Sequence, residues 1–138
     1  MRVLILGGDG YLGWPTAMNL SVQGHDVFSV DNYFRRQAAV EKNLPPLIDV
    51  PTILERVSYW KKKTGITIGV RVGDISDYSF LLEVLRQFEP DSVVHYAEQP
   101  SAPYSMLGYD EAKFTLSNNL LGTLNLIYAI KETDPRIH

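Results

Sequence analysis

The opening stretch, Met1-Arg-Val-Leu-Ile-Leu-Gly-Gly-Asp-Gly-Tyr-Leu-Gly13, sets an apolar run hard against a glycine-rich turn. Arg2 to Leu6 is short, apolar and partly β-branched, as a central parallel strand covered on both faces must be. Gly7, Gly10 and Gly13 then form G-x-x-G-x-x-G. The first lets the chain turn tightly, the second lets backbone approach a pyrophosphate, and the third lets the next helix pack on the strand. The spacing predicts that helix over about Tyr11 to Gln23, with its free N–H groups and positive dipole end turned toward phosphate. A second strand, Asp26 to Val30, ends at Asp31, about 20 residues on, where a carboxylate can accept from the adenosine ribose hydroxyls. Strand, glycine turn, helix, strand and acid together point to a dinucleotide site.

Composition narrows the alternatives. A chain of 138 residues with 45% hydrophobic and 21% charged residues can build one domain with a proper core. The net charge is −3 and no basic block occurs, which argues against nucleic acid as a partner. No apolar run approaches the length of a membrane span, and the start lacks the features of an export signal, so the cytoplasm is the expected compartment. Cysteine is absent, which rules out disulfides and thiolate metal sites.

Further along, Gly24 is placed to close the first helix, whose mixed face carries Leu12, Ala17, Leu20 and Val22. Asp31 disfavours a 2′-phosphate by repulsion, so NAD is expected over NADP. Arg35 and Arg36 leave three readings open: accommodating that phosphate, stacking on adenine or reaching the phosphates, or standing in solvent. Residues 37 to 65 exceed a minimal βαβ connection, and Leu44-Pro-Pro-Leu47 interrupts any helix. From Pro51, Ile53, Leu54, Val57 and Trp60 recur at helical spacing until Gly65. Ile66 to Val72 reads as strand three. Asp74 and Ile75 follow at its ligand-facing end, where Asp74 could bind the adenine amino group, or Asp74 or Asp77 could cap the next helix.

That helix, about 77 to 88, carries Phe80, Leu81, Val84, Leu85 and Phe88 on one face and stops at Glu89-Pro90. Ser92 to His95 is strand four, with Val93 and Val94 expected buried. A long helix over about Tyr109 to Thr133 has an expected buried stripe of Leu120, Leu121, Leu124, Ile127 and Tyr128. Gly122 interrupts it and implies a close neighbour. Ile137-His138 reads as the opening of a fifth strand. The whole is an α/β, doubly wound parallel sheet: a single dinucleotide-binding Rossmann domain over residues 1–138, strand order 3-2-1-4, with the fifth strand cut short.

Other constellations carry less. His25, His95 and His138 lack metal-site spacing, and His95 reads as a packed or backbone-bonded histidine. No metal site, G-x-S-x-G or Walker pattern is present. Tyr109 with Lys113, and Tyr59 with Lys63, have Tyr-x-x-x-Lys spacing but precede strands five and three respectively.

These residues resemble the extended short-chain dehydrogenase/reductases, the NAD-dependent epimerase/dehydratase family that modifies nucleotide sugars. The resemblance rests on Gly7-x-x-Gly10-x-x-Gly13, Asp31, Gly73-Asp74-Ile75 and Asn119-x-x-Gly122-Thr123, and it spans essentially the whole chain. Glu98-Gln99, Ser101-Ala-Pro-Tyr-Ser-Met106 and Asn118-Asn119 look most like the UDP-sulfoquinovose synthase branch. The resemblance implies that Gly7, Asp9, Gly10, Tyr11, Leu12 and Gly13 hold the NAD pyrophosphate. Asp31 and Asn32 would hold the adenosine ribose, with Arg35, Arg36, Asp74 and Ile75 near adenine. Tyr96, Ala97, Glu98 and Gln99 would pass the nicotinamide ribose, and Asn119 would steady that wall. Gln99, Ser101 and Tyr104 would face a nucleotide sugar, with UDP-glucose expected.

In that branch an arginine stands where this chain has Pro100. The family's catalytic Tyr-x-x-x-Lys pair follows strand five, so no catalytic residue is expected before His138. The implied activity is conversion of UDP-glucose and sulfite to UDP-sulfoquinovose with transient NAD reduction. The alternatives are a UDP- or dTDP-sugar epimerase or dehydratase, and a non-catalytic dinucleotide sensor. The reading is of the amino-terminal part of a larger enzyme, inactive alone, whose full-length form is a homodimer pairing through the long helix and the one after strand five.

Overall fold

A computed structural model of the protein describes every residue except Pro45 and Ser101. In chain order it contains β1 (Arg2–Leu6), α1 (Gly13–Val22), β2 (Asp26–Asp31), α2 (Phe34–Glu41) and α3 (Ile53–Thr64). Then come β3 (Gly69–Val72), α4 (Tyr78–Phe88), β4 (Ser92–His95), a 3-10 turn (Tyr104–Met106) and α5 (Tyr109–Thr133). The strands form one parallel sheet in the order β3-β2-β1-β4, as right-handed crossovers require. The crossover between β1 and β4 places the topological switch point at their carboxyl ends, where an open α/β sheet binds its ligand.

Alternation along β1 builds both faces of the sheet. Leu4 and Leu6 point into a core with Val30, Ile75, Leu81, Val84, Leu85, Phe88, Leu126 and Ala129, under α4 and α5. Val3 and Ile5 point the other way, to Ala17, Val27 and Ile68 under α1 and α3, with Trp14, Val57 and Trp60 packed alongside. A strand buried on both faces must be apolar throughout, which is why β1 carries no polar residue after Arg2.

Several expectations are corrected. Strand three spans only Gly69–Val72, because residues 66–68 approach the sheet without joining its ladder. The α2 helix, with no apolar period to announce it, was not anticipated. Helix α1 begins at Gly13, and both Leu12, at its N-cap, and Val22, at its end, are exposed. Val93 and Val94 are half-buried, since β4 borders the sheet. On that border the His138 N–H donates to the Asp91 carbonyl (3.0 Å) and the His138 carbonyl accepts from the Val93 N–H (2.8 Å), the pairing of an opening parallel strand.

The largest correction concerns α5. The buried residues are Thr115, Gly122, Leu126 and Ala129, whereas Leu120, Leu121, Leu124, Ile127 and Tyr128 are exposed, Leu120 by 68%. A Cβ at Gly122 would lie 2.6 Å from Ile75 Cδ1, so the helix approaches through its small-residue face, as Gly122 implied. The leucine stripe faces outward.

Candidate functional site

The carboxyl ends of β1, β2 and β4 open into a single cavity of about 760 Å3. One end is walled by Asp31, Asn32, Arg35 and Arg36, the middle by Gly7 and Gly10 to Gly13, and the other end by Tyr96 to Pro100. Thus the two loops that leave the switch point are continuous with one hollow. Leu44, Pro46 and Val50, from the long β2–β3 connection, also line it.

The glycine turn has the geometry its spacing implies. Gly7 has φ +88°, and a Cβ there would meet the Tyr96 carbonyl carbon at 2.6 Å. A Cβ at Gly13 would strike the Gly7 carbonyl, so only glycine lets α1 start against β1. Helix α1 has Leu12 at its N-cap with no capping side-chain bond and no acid in its first turn. The Trp14 N–H donates to the Gly10 carbonyl (3.3 Å) and Pro15 has none, so the N–H groups left for an anion are those of Gly13 and of Tyr11 and Leu12 before it, and these three residues line the cavity.

Asp31 stands at the tip of β2. Its Oδ2 accepts from the Asp9 N–H (2.9 Å) and its Oδ1 from the Tyr33 N–H (2.8 Å). Burial pushes the carboxyl pKa up, against the opposing pull of those two N–H donors. Each oxygen retains a lone pair for a hydroxyl donor. Asn32 reaches sideways, donating from Nδ2 to Asp74 Oδ2 (2.8 Å), while Asp74 Oδ1 accepts from the Ser76 N–H (2.8 Å). Burial raises the Asp74 pKa, but those donors outweigh it and hold the carboxyl below its ordinary value. Asp74 stands outside the cavity lining, Ile75 is in it, and Asp77 caps α4 by accepting from the Phe80 N–H.

Asp9 and Arg36 take up tasks that spacing did not suggest. The Asp9 carboxylate holds Arg36 through Nε (2.6 Å) and Nη2 (3.0 Å), and it also pairs with Arg56. Arg56 Nη2 donates to the Asp9 carbonyl as well (2.9 Å), and its guanidinium lies over the Trp14 ring. Arg36 further donates to the carbonyls of Val50 (2.7 Å) and Pro51 (2.8 Å), tying the approach to α3 to the glycine turn. The Asp9 bond raises the Arg36 pKa. Asp9 therefore borders the cavity with its N–H, carbonyl and carboxylate all partnered within the protein. Arg35 is exposed on the cavity wall. Arg56 was missed by sequence reasoning. Its one signal is a cation in the first turn of α3, where the helix dipole disfavours it unless an acid waits nearby.

At the opposite end, Asn119 clamps the backbone of Gln99: Oδ1 accepts from its N–H (2.8 Å) and Nδ2 donates to its carbonyl (3.0 Å). Asn118, part of the Asn118-Asn119 stretch but given no role from the sequence, lines the cavity and donates to the Ala97 carbonyl (3.3 Å). His95 is backbone-bonded, accepting from the Ala97 N–H at Nδ1 (3.2 Å), which leaves the proton on Nε2 toward Glu98 Oε1 (3.1 Å). Burial lowers its pKa, with Glu98 opposing. Tyr104 does not line the cavity: it packs edge-on against Phe34 and Phe114, which stack at 4.0 Å between centroids. Ser101 lies outside the described residues. Tyr109 is exposed at the start of α5 and does not line the cavity. Among the described residues no cluster of three His, Asp or Glu could hold a metal, and no helix is long and apolar enough to cross a membrane.

Comparison with known proteins places this geometry in context. The model of the NAD dependent epimerase/dehydratase family matches residues 3–138. The chain is 47% identical over 137 residues to the chloroplastic UDP-sulfoquinovose synthase of Spinacia oleracea, covering 99% of this chain and 28% of that protein. It is 45% identical over 138 residues to the UDP-sulfoquinovose synthase of Sulfolobus acidocaldarius, covering 100% and 35% respectively. In three dimensions it superimposes on a UDP-glucose 4-epimerase from Bifidobacterium longum, solved with NAD+ and UDP, with a TM-score of 0.76 and 25% identity. That match covers 97% of this chain and 34% of the other. The chain thus spans about a third of the length of these relatives.

Proposed function

The chain belongs to the NAD-dependent epimerase/dehydratase family, and from that premise we propose that its cavity is the NAD site of a nucleotide-sugar enzyme of the UDP-sulfoquinovose synthase type. The observation that carries the cofactor reading is the continuity of one hollow from the Asp31 carboxylate, past the uncapped start of α1, to the Tyr96–Gln99 wall. A dinucleotide needs an acceptor for ribose hydroxyls, N–H donors for its pyrophosphate, and a second wall beyond. The residues present fit all three. Tyr11, Leu12 and Gly13 would donate to the pyrophosphate, Asp31 would accept from the adenosine ribose, and Asn119 would keep the Gln99 backbone in line with the other ribose.

When bound, NAD would supply a hydride acceptor and return the hydride later. This chain's residues bind and orient it. The reacting sugar, by this reading UDP-glucose, would lie beyond Gln99, and sulfite would be the second substrate. The identity of 45–47% to two synthases favours that branch over the epimerases. Pro100, in place of the branch's arginine, bears on the anion-handling part of the reaction. For a whole protein of the relatives' length, a Tyr-x-x-x-Lys pair following strand five would remove the proton from the sugar hydroxyl.

The exposed stripe Leu116, Leu120, Leu121, Leu124, Ile127 and Tyr128 runs along one face of α5. Its size and spacing suit a second copy of the same helix, which supports the homodimer expected from the family. Titration calorimetry with NAD tests the core of the reading: saturable binding, lost in Asp31→Ala, supports it, and no heat with the full-length protein overturns it. Formation of UDP-sulfoquinovose from UDP-glucose and sulfite tests the branch, and a 4-epimer or 4-keto product would assign the protein to its rivals.

A further inference from the structure

Asp9 sits in the middle of the pyrophosphate turn, a place that should repel a pyrophosphate, yet every polar atom it has is taken up by the protein. Its N–H goes to Asp31, its carbonyl to Arg56, and its carboxylate to Arg36 and Arg56. The Asp9 side chain is 10% exposed and that of Arg56 13% exposed, so these two charges are largely desolvated and paired, and Arg56 Nε is buried without a hydrogen-bond partner. Arg36, with two bonds to the carboxylate and one each to the Val50 and Pro51 carbonyls, has four of the five N–H donors of a guanidinium engaged. The four charged groups Asp9, Asp31, Arg36 and Arg56 sum to zero. Because the Asp9 N–H is bonded to Asp31 Oδ2, the paired guanidiniums stand one residue from the carboxylate that would read the adenosine ribose.

Resting on the NAD reading above, we infer that Asp9 is a specificity residue: it sequesters Arg36 and Arg56 so that neither can take a ribose 2′-phosphate, and the site accepts NAD and rejects NADP. An acid at the strand tip alone leaves the matter open, because an arginine a few residues later can accommodate that phosphate in spite of it. Here Arg36 and Arg56 are spent on Asp9, while Arg35, exposed on the cavity wall, stands outside that network. A dianion arriving at the 2′ position meets two carboxylates, and the two guanidiniums beside them are already committed to Asp9. Removing the Asp9 charge reverses this balance, leaving a net positive cluster with planar donors suited to phosphate.

The test measures Kd for NAD and for NADP by calorimetry on the full-length protein, on Asp9→Ser, and on Asp9→Ser combined with Arg36→Ala. Asp9→Ser should shift the NADP-to-NAD affinity ratio toward NADP by about tenfold or more, the scale of one charged hydrogen bond. Adding Arg36→Ala should abolish most of that gain. Asp9→Asn, which keeps the side-chain shape, should move the ratio the same way by less, and it serves if Asp9→Ser fails to fold. Equal weakening for both dinucleotides, with the ratio unchanged, would make Asp9 a purely structural tie for Val50 and Pro51 through Arg36 and overturn the inference alone. If the unmodified protein binds neither dinucleotide, the cofactor reading itself fails and this inference falls with it.

Discussion

Asn119 satisfies both backbone groups of Gln99, accepting from its N–H at 2.8 Å and donating to its carbonyl at 3.0 Å. One side chain on α5 thereby substitutes for a strand partner to a loop that has none. Asn119→Leu keeps the volume and removes both bonds, leaving two part-buried backbone groups unpaired at a cost of about 1–3 kcal/mol. Thermal unfolding should show the loss, and the Gln99 amide should exchange hydrogen faster than those of β1. Unchanged exchange at Gln99 would show that the loop holds its shape without the clamp.

Gly13→Ala should be far more damaging than its size suggests. The new methyl would lie on the Gly7 carbonyl and 2.9 Å from Gly8 Cα, atoms that cannot rotate away. A loss of about 3 kcal/mol or more is expected, in the range of severe core lesions. Denaturant unfolding measures it. A variant as stable as the parent would mean that α1 can lift off β1 at no cost.

Replacing Leu120 and Leu124 together by lysine should change assembly and leave the fold intact. Both are exposed in the single chain, so stability should move by no more than about 0.5 kcal/mol for each. Light scattering should show a dimer for the parent full-length protein and a monomer for the variant. An unaltered dimer mass would place the interface elsewhere.

Acidification should draw a distinct penalty from His95. Burial holds its pKa below the ordinary 6.5. The unfolded chain therefore takes up a proton that the folded chain refuses, and stability present above pH 6.5 is lost as the pH falls toward the folded value. Between pH 7 and 5, the parent should lose more stability than His95→Gln, whose side chain has no charge to gain. Parallel stability curves for the two would show that His95 protonates in place without penalty.

Much of the fold was legible because its determinants are local. The apolar β1 run, the glycine spacing, Gly65 after α3 and Glu89-Pro90 after α4 act through sterics and hydrogen bonds within a few residues, and strand order then follows from the handedness of crossovers. Asp31 at a strand tip was readable for the same reason. By contrast α2, with the sequence Phe-Arg-Arg-Gln-Ala-Ala-Val-Glu, carries no apolar period, and it is held by what it touches: Phe34 on Phe114, Lys42 to Glu111.

Only the tertiary structure decided the rest. Periodicity located the apolar stripe of α5 but not its partner. The helix buries its small face because Gly122 lets it close on Ile75, and the leucines are left outward. The family resemblance implied that Asp9 lies beside a phosphate, whereas folding brought Arg36 and Arg56 to it from 27 and 47 residues away. A sequence states which charges and surfaces need partners. Which partner arrives depends on long-range packing, and no short-range rule encodes that choice.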